Sequence, residues 1–186
     1  MGPGGRLWAC LADGERWRVG EWSPGASGLG RWQGGRHLDE PASALAWVDA
    51  GQTLYIAAAA SGTLYSAASV RHAPGPLRRL ATVPQGSGRL GGLALDGRGG
   101  VCSAPNGGWS AVRFDADGGL DRVVALPVPC PTDLGFGGPQ RRTLYITSAR
   151  DAVSRESLDA APLSGRLFAV DPVDHCRWPA ALACPG

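Results

Sequence analysis

Hydrophobic residues in this chain occur in short runs that recur at a nearly constant spacing. Four of these runs share a pattern of apolar residues: GRLWAC at 5–10, QTLYIAA at 52–58, GGVCSA at 99–104 and RTLYIT at 142–147. Their first large apolar residues, Leu7, Leu54, Val101 and Leu144, are 47, 47 and 43 residues apart. Short runs rich in β-branched and aromatic residues that follow turn residues predict β-strands. The spacing falls within the period of about 40–50 residues that is typical of β-propeller blades.

Further apolar runs flank these strands and predict four-stranded meanders. The upstream runs are SALAW at 43–47, GGLAL at 91–95 and TDLGF at 132–136. Third strands that open with glycine are SGTLYSA at 61–67, GGWSAVRFD at 107–115 and SGRLFAVD at 164–171. Fourth strands are RRLATV at 78–83 and DRVVALPV at 121–128. No unit shows a convincing helical period with caps.

One such meander cannot bury both of its faces, whereas meanders packed radially around a channel can. We therefore predict an all-β chain with about four blades of a β-propeller, incomplete at its N-terminus. It forms a single partial domain over 1–186, with a partial blade at 1–36 and blades at 37–85, 86–126 and 127–186. The partial blade lacks its innermost strand. An open ring leaves apolar faces and strand edges exposed, which favours self-association through the blade edges.

Composition and cysteine use narrow the class of protein. Hydrophobic residues make up 44% of the chain, but no apolar run approaches the roughly 20 residues of a membrane span, which predicts a soluble protein without a membrane partner. The first residues, MGPGGRLWAC, do not form a secretory signal.

The cysteines are Cys10, Cys102, Cys130, Cys176 and Cys184. Their odd number and wide spacing argue against a disulfide framework or a zinc site and favour the cytoplasm. Cys10 and Cys102 are interpreted as small buried hydrophobes.

The charged residues do not indicate a nucleic-acid partner. The net charge is +2, and all 18 basic residues are arginines that are scattered along the chain. Binding to nucleic acid requires a dense basic patch, usually with aromatic residues between the charges. We therefore predict no nucleic-acid partner.

Three motifs have both a functional and a structural interpretation. Residues 86–91 match G-x-G-x-x-G, but a dinucleotide site requires a following helix, so an inter-blade loop is the better interpretation. The DADG sequence at 115–118 starts like a calcium loop, but its twelfth position is Leu126, which favours a turn between strands. His37, His72 and His175 are isolated from one another and from acidic pairs. No G-x-S-x-G motif supports a serine-hydrolase triad, so surface or loop histidines are favoured over catalytic ones.

Longer stretches resemble a known family. The stretch PVPCPTDLGFGGPQRRTLYITSAR at 127–150 resembles a signature of the senescence marker protein, gluconolactonase and luciferin-regenerating enzyme family, which includes regucalcin. PLSGRLFAVDP at 162–172 is similar to the segment that follows it, and the earlier units resemble the preceding blades in order. The resemblance covers the C-terminal two-thirds of the family fold. It implies a six-bladed propeller that uses a divalent metal (calcium, zinc or manganese) in its channel to hydrolyse sugar lactones.

The metal-ligand positions implied by this resemblance are not retained. The family's ligands are an asparagine, an aspartate and a glutamate; the asparagine position falls on Ser43 and the aspartate position on Gly91. The glutamate, and the arginine and asparagine that contact substrate, belong to parts of the family fold that precede this chain. Asp133 follows the equivalent position in the last blade, Thr132, and strand alternation predicts that the two side chains point in opposite directions. We therefore expect no intact metal site and no cofactor, assign no catalytic residue, and leave the substrate-binding residues unknown.

Three functions remain open at this stage. The first is a family propeller related to metal-dependent sugar-lactone hydrolases that is degenerate or truncated, with catalysis left undecided. The second is a non-catalytic propeller that binds a small molecule, such as a sugar-lactone-like ligand, or a protein partner. The third is a non-functional gene fragment. Fold alone does not choose among them.

Overall fold

The structure, a computed structural model, describes residues 2–25, 30–48, 52–70, 72–151 and 153–170. The described strands form four antiparallel sheets. The chain divides into two compact units, Met1–Thr82 and Val83–Gly186. His175, Cys176 and Cys184 lie outside the described residues. Among the described residues, no helix has both the length and the hydropathy that crossing a lipid bilayer requires.

The first unit contains two sheets. The first sheet consists of β1 (Trp8–Asp13), β2 (Arg16–Ser23), β3 (Arg31–Trp32) and β4 (Arg36–Leu38), with β2 between β1 on one side and β3 and β4 on the other. The second consists of β5 (Ala42–Val48), β6 (Thr53–Ala58), β7 (Thr63–Val70), β8 (Ala73–Pro74) and β9 (Arg78–Thr82), in the order β5-β6-β7 with β8 and β9 both on β7. In each sheet, therefore, the outermost strand is interrupted.

Apolar side chains from both sheets form the core of the first unit. The buried members are Trp8, Val19, Leu38, Leu54 and Ile56. The rings of Trp8 and Trp47 meet edge to face, with their centroids 5.5 Å apart, which is a favourable arrangement for two aromatic rings. The hydrophobic faces predicted by the repeat thus meet in one cluster.

The second unit contains the other two sheets and one helix. The third sheet is a regular meander of β10 (Leu93–Leu95), β11 (Val101–Ser103), β12 (Ser110–Phe114) and β13 (Leu120–Ala125). The fourth sheet consists of β14 (Pro131–Gly137), β15 (Thr143–Ser148) and β16 (Phe168–Val170). Their shared core includes Cys102, Leu126, Val128, Leu134, Leu144 and Ile146. All of the strands predicted from the repeat are present.

One short helix is present, although no unit showed a helical period with caps in the sequence. The helix α1 (Arg155–Ala160) lies between β15 and β16. Ser154 caps it, because its Oγ accepts a hydrogen bond from the backbone N–H of Ser157 at 3.2 Å. Glu156 adds a negative charge in the first turn, where it complements the helix dipole. A helix of six residues is too short to show an apolar period, so only the cap could have indicated it.

A buried ion network ties together the strands of the third sheet. Asp96 is completely buried, and its Oδ1 accepts hydrogen bonds from the backbone N–H groups of Arg98 at 2.7 Å and Gly100 at 2.9 Å. Its Oδ2 accepts a hydrogen bond from Arg113 Nε at 2.6 Å, and Arg113 also pairs with Asp121. Burial acts to lower the pKa of Arg113, but its bonds and attraction to the two carboxylates raise the pKa overall. The guanidinium therefore stays charged.

Burial also sets the chemistry of the two cysteines that were interpreted as small hydrophobes. Cys102 is completely buried in the core of the second unit, and Cys10 is half-buried beside the core of the first. Desolvation by burial raises the pKa of both thiols, and at Cys10 this effect outweighs a hydrogen bond from the Ala42 N–H, which acts to lower the pKa. A raised pKa reduces the thiolate fraction at any given pH, and the thiolate is the reactive form.

We predict that alkylation of these thiols begins at a higher pH in the folded chain than in the unfolded chain. Cys102 should resist iodoacetamide in native buffer and react fully in denaturant, while Cys10 should react slowly in the native state. Mass spectrometry of the digested protein separates the two sites. Native labelling of Cys102 as fast as in denaturant would contradict its placement in the core.

Candidate functional site

Ser43 occupies a β-bulge in the innermost strand of the second sheet. In the pairing of β5 with β6, Ala42 lies opposite Ala58 and Ala44 opposite Ala57, so Ser43 is the extra residue. Its side chain is exposed, and its hydroxyl donates a hydrogen bond to the carbonyl of Ala57 at 3.3 Å. Bulges redirect side chains and often occur next to functional sites. The bulge therefore sets the direction of the side chain at the position implied for the family's asparagine, where this chain has only a hydroxyl.

The fourth sheet repeats this bulge. In the pairing of β14 with β15, Pro131 lies opposite Ser148 and Asp133 opposite Thr147, which leaves Thr132 as the extra residue. The hydroxyls of Thr132 and Thr147 are 2.8 Å apart. Thr132 therefore corresponds in its local geometry to Ser43, as the repeat predicted.

The bulge also removes the reason for predicting that the side chains of Asp133 and Thr132 point in opposite directions. Strict alternation would place its side chain opposite that of Thr132, but alternation is interrupted at this step. Asp133 is exposed, and its Oδ1 accepts a hydrogen bond from the backbone N–H of Leu134 at 2.8 Å. The same oxygen lies where a Cβ on Gly92 would be, so a side chain at position 92 would displace the Asp133 carboxylate. The carboxylate therefore lies over the backbone of the segment that leads into β10.

Gly91 lies in that segment, and backbone atoms fill the space beside it. A Cβ at this position would be 2.5 Å from the carbonyl oxygen of Ala104 and 2.6 Å from that of Thr132. Real Cβ atoms essentially never approach within 3.0 Å. The Thr132 carbonyl is held in place because it accepts a hydrogen bond from the Gly92 N–H at 3.0 Å. An aspartate at position 91 thus requires a backbone shift.

The residues at these positions do not fit a divalent metal. Calcium takes six to eight oxygen ligands, with carboxylates prominent among them. Ser43 offers one neutral oxygen, and Gly91 offers no side chain. Among the described residues, no group of three or more histidine, cysteine, aspartate or glutamate side chains is arranged to hold a metal ion.

His37 and His72 each pair with a carboxylate that is distant in the sequence. His37 Nε2 is 2.9 Å from Asp13 Oδ2, and His72 Nδ1 is 2.9 Å from Glu21 Oε2. The description of these histidines as isolated is therefore corrected. The fold brings together residues that are 24 and 51 positions apart, which no local pattern reveals.

The pair of His72 and Glu21 is the more buried of the two. Glu21 is 6% exposed and also contacts Arg6 Nε at 3.3 Å. A carboxylate can orient an imidazole for acid–base catalysis, but covalent catalysis also needs a nucleophile within hydrogen-bond reach. In the described part of the chain, no serine, threonine or cysteine is a hydrogen-bond partner of either histidine. These pairs therefore do not form a catalytic triad.

The two other motifs have the structural roles expected for them. The glycine-rich loop at 86–91 leads into β10 and not into a helix, and Arg89 pairs with Asn106 in an isolated bridge. In the turn after β12, Asp115 Oδ1 accepts hydrogen bonds from the N–H groups of Asp117 at 3.0 Å and Gly119 at 2.7 Å. The predicted loop and turn are confirmed.

A small cavity in the first unit is the other candidate site. It has a volume of about 160 Å³ and is lined by His37, Leu38, Asp39, Glu40, Tyr65 and Leu77, together with Ala58. Ala58 pairs with Ala42, the residue before Ser43. A lining that combines polar and apolar side chains is typical of small-molecule sites. Most such sites are larger, with volumes of about 300–1,000 Å³.

Known proteins resemble this chain in sequence and in fold. Residues 2–150 match the model of the SMP-30/Gluconolactonase/LRE-like region. A 6-deoxy-6-sulfogluconolactonase of Pseudomonas putida is 42% identical over 97 residues, which are 52% of this chain and 33% of that protein. Regucalcin of Xenopus laevis is 30% identical over 94 residues, 50% of this chain and 31% of that protein. The chain thus spans about a third of the length of these curated relatives.

The solved structures test the fold. The structure of a calcium-binding protein, regucalcin, from Agrobacterium tumefaciens superimposes with a TM-score of 0.77 and 21% identity, over 98% of this chain and 63% of that one. At this identity the likeness shows the fold alone. It confirms the predicted all-β propeller class, and the match at 2–150 confirms the predicted resemblance.

Proposed function

Because the chain belongs to the SMP-30/gluconolactonase/LRE-like family, we propose that it is a propeller related to metal-dependent sugar lactonases in which metal-dependent hydrolysis is not retained. The packing around Gly91 supports this most strongly. Two backbone carbonyls occupy the space from which a carboxylate would project. Without a carboxylate there, this position supplies neither a strong ligand for a hard cation nor a base for activating water.

We predict that calcium, manganese or zinc will not raise the melting temperature of the full chain. A ligand at about 100 times its Kd stabilises the native state by about 2.7 kcal/mol, so a genuine site would be visible. We also expect gluconolactone to hydrolyse no faster with the protein than in buffer, measured by acid release. A full-length lactonase assayed in parallel serves as the positive control. A metal-dependent rise in melting temperature together with accelerated hydrolysis would contradict the proposal.

A second candidate function is binding of a small polar ligand without catalysis. The cavity beside Ala58 supports it, since His37, Asp39 and Glu40 supply polar groups and Leu77 an apolar wall. A sugar-lactone-like molecule is the chemistry that the family resemblance suggests. Titration of gluconolactone and gluconate by NMR tests this, and shifts confined to residues that line the cavity would support it. Lack of saturable shifts in a folded sample would exclude it.

A further inference from the structure

The cavity in the first unit carries a negative charge that its own lining does not balance. Of the described residues that line it, Asp39 and Glu40 are acidic and none is arginine. Asp39 Oδ1 is 2.8 Å from Arg16 Nη2, and its side chain is 91% exposed, so its charge is balanced and directed to solvent. His37 pairs with Asp13, which does not line the cavity. Glu40 has no ion-pair partner among the described residues, so the uncompensated charge lies there.

The carboxylate of Glu40 is held in place by the backbone. Its Oε2 accepts a hydrogen bond from the N–H of Ser61 at 2.7 Å, which ties the segment before β5 to the turn between β6 and β7. A bond from a neutral amide does not cancel the charge of a carboxylate, and the two oxygens together can accept several bonds. The Glu40 carboxylate is therefore able to accept a further bond from a ligand in the cavity.

Much of the remaining lining is apolar or aromatic. Leu38 and Ala58 are buried, and Leu77 packs against the core of the first unit. Tyr65 contributes an aromatic ring, and the face of such a ring attracts cations. The volume of about 160 Å³ is smaller than that of most small-molecule sites, so a ligand has to be short. These features suit a short apolar chain with a positive charge at one end.

We propose that this cavity binds a small organic cation, namely a primary ammonium group on a short alkyl chain. The ammonium group donates a hydrogen bond to the Glu40 carboxylate, and the alkyl chain contacts Leu38 and Leu77. A bond between two charged groups is stronger than one between neutral groups, whereas an anion of the same size is repelled by the carboxylate. The inference rests on the second candidate function, that the cavity is a binding site, and names the ligand class from the charges in its lining.

Three probes that share one carbon chain and differ in charge test the inference: n-butylammonium, n-butanol and n-butyrate. Each is titrated into the isotope-labelled full chain at neutral pH and constant ionic strength, and the amide shifts are followed by NMR. n-Butylammonium should give saturable shifts at His37, Glu40 and Ala58, and should bind at least about fivefold more tightly than n-butanol. n-Butyrate should give no saturable shifts at these residues.

Two matched variants test the role of Glu40. Glu40→Gln keeps an oxygen that can accept the bond from Ser61 but removes the charge. It should therefore weaken the binding of n-butylammonium at least about fivefold and leave that of n-butanol unchanged. Asp117→Asn, at an exposed residue of the second unit, should change neither affinity. Circular dichroism melts verify that both variants are folded, and the comparison of the three probes on the unaltered chain does not depend on either variant.

The outcomes distinguish this inference from the proposed binding function. The inference is overturned if n-butylammonium gives no saturable shifts at the cavity, if its shifts lie elsewhere, if n-butanol binds as tightly, or if a folded Glu40→Gln variant binds it unchanged. Saturable shifts from gluconolactone at the same residues, with none from n-butylammonium, would reject the cation and keep the binding function. If neither compound gives such shifts in a folded sample, both proposals fail.

Discussion

Replacing Asp96 with asparagine is expected to lower the free energy of unfolding by about 3–5 kcal/mol, the range for breaking one side of a buried ion pair. Asparagine keeps an oxygen that can accept the bonds from Arg98 and Gly100, so the change removes the charge and the hydrogen bond that Arg113 Nε donates to Oδ2. Arg113, whose side chain is 9% exposed, then keeps only Asp121, whose side chain is 41% exposed. A buried guanidinium with weaker compensation destabilises the folded state.

Urea unfolding followed by circular dichroism measures this effect. Asp39→Asn is the matched control, because Asp39 pairs with Arg16 at 2.8 Å but its side chain is 91% exposed. Exposed pairs of this kind contribute about 0–1 kcal/mol. If the two substitutions reduce stability equally, the network around Asp96 is not the stabilising element that its burial indicates.

Restoring an aspartate at position 91 is expected to destabilise the chain and not to create a metal site. The new Cβ would press on the carbonyl oxygens of Ala104 and Thr132, and overpacking of this type costs about 1–3 kcal/mol. The size of the effect is best isolated with alanine. Gly91→Ala should lower the melting temperature, while Gly135→Ala should not, because a Cβ at Gly135 meets nothing within 4 Å.

Thermal melts of Gly91→Ala, Gly91→Asp and Gly135→Ala, each with and without calcium, complete this test. Gly91→Asp should be no more stable than Gly91→Ala in calcium. A melting temperature for Gly91→Ala equal to that of Gly135→Ala would show that the backbone beside Gly91 yields easily. A calcium-dependent gain in Gly91→Asp would show that the rest of a metal site is present after all.

The sequence was sufficient to predict most of the strands, because each blade repeats the same apolar pattern at a nearly fixed spacing, but β2, β3, β4 and β8 were not predicted. It did not indicate the bulges at Ser43 and Thr132, since a bulge adds one residue without changing composition. Nor did it indicate α1, which depends on the cap at Ser154 and has no apolar period. The division into one domain with the stated blade boundaries, the cytoplasmic location and the absence of a nucleic-acid partner remain predictions.

For the candidate site, the sequence predicted which residue stands at each position but not what surrounds it. The resemblance indicated that Ser43 and Gly91 are not the family's ligand residues, but not how the backbone surrounds them. The partners of His37 and His72 lie on other strands or segments and depend on the register of the sheets. Tertiary packing therefore decided what each position can do, and a one-dimensional pattern does not contain that information.

The different surroundings of Ser43 and Gly91 have an evolutionary consequence. At Ser43 the bulge is preserved and the side chain is exposed, so a single codon change to asparagine could restore the amide without moving the backbone. At Gly91 the carbonyl oxygens of Ala104 and Thr132 lie beside the backbone, and a carboxylate fits only if these two segments move as well. If the chain descends from a metal-binding propeller, as proposed, one substitution therefore reverses the change at Ser43, whereas the change at Gly91 also requires the surrounding backbone to move.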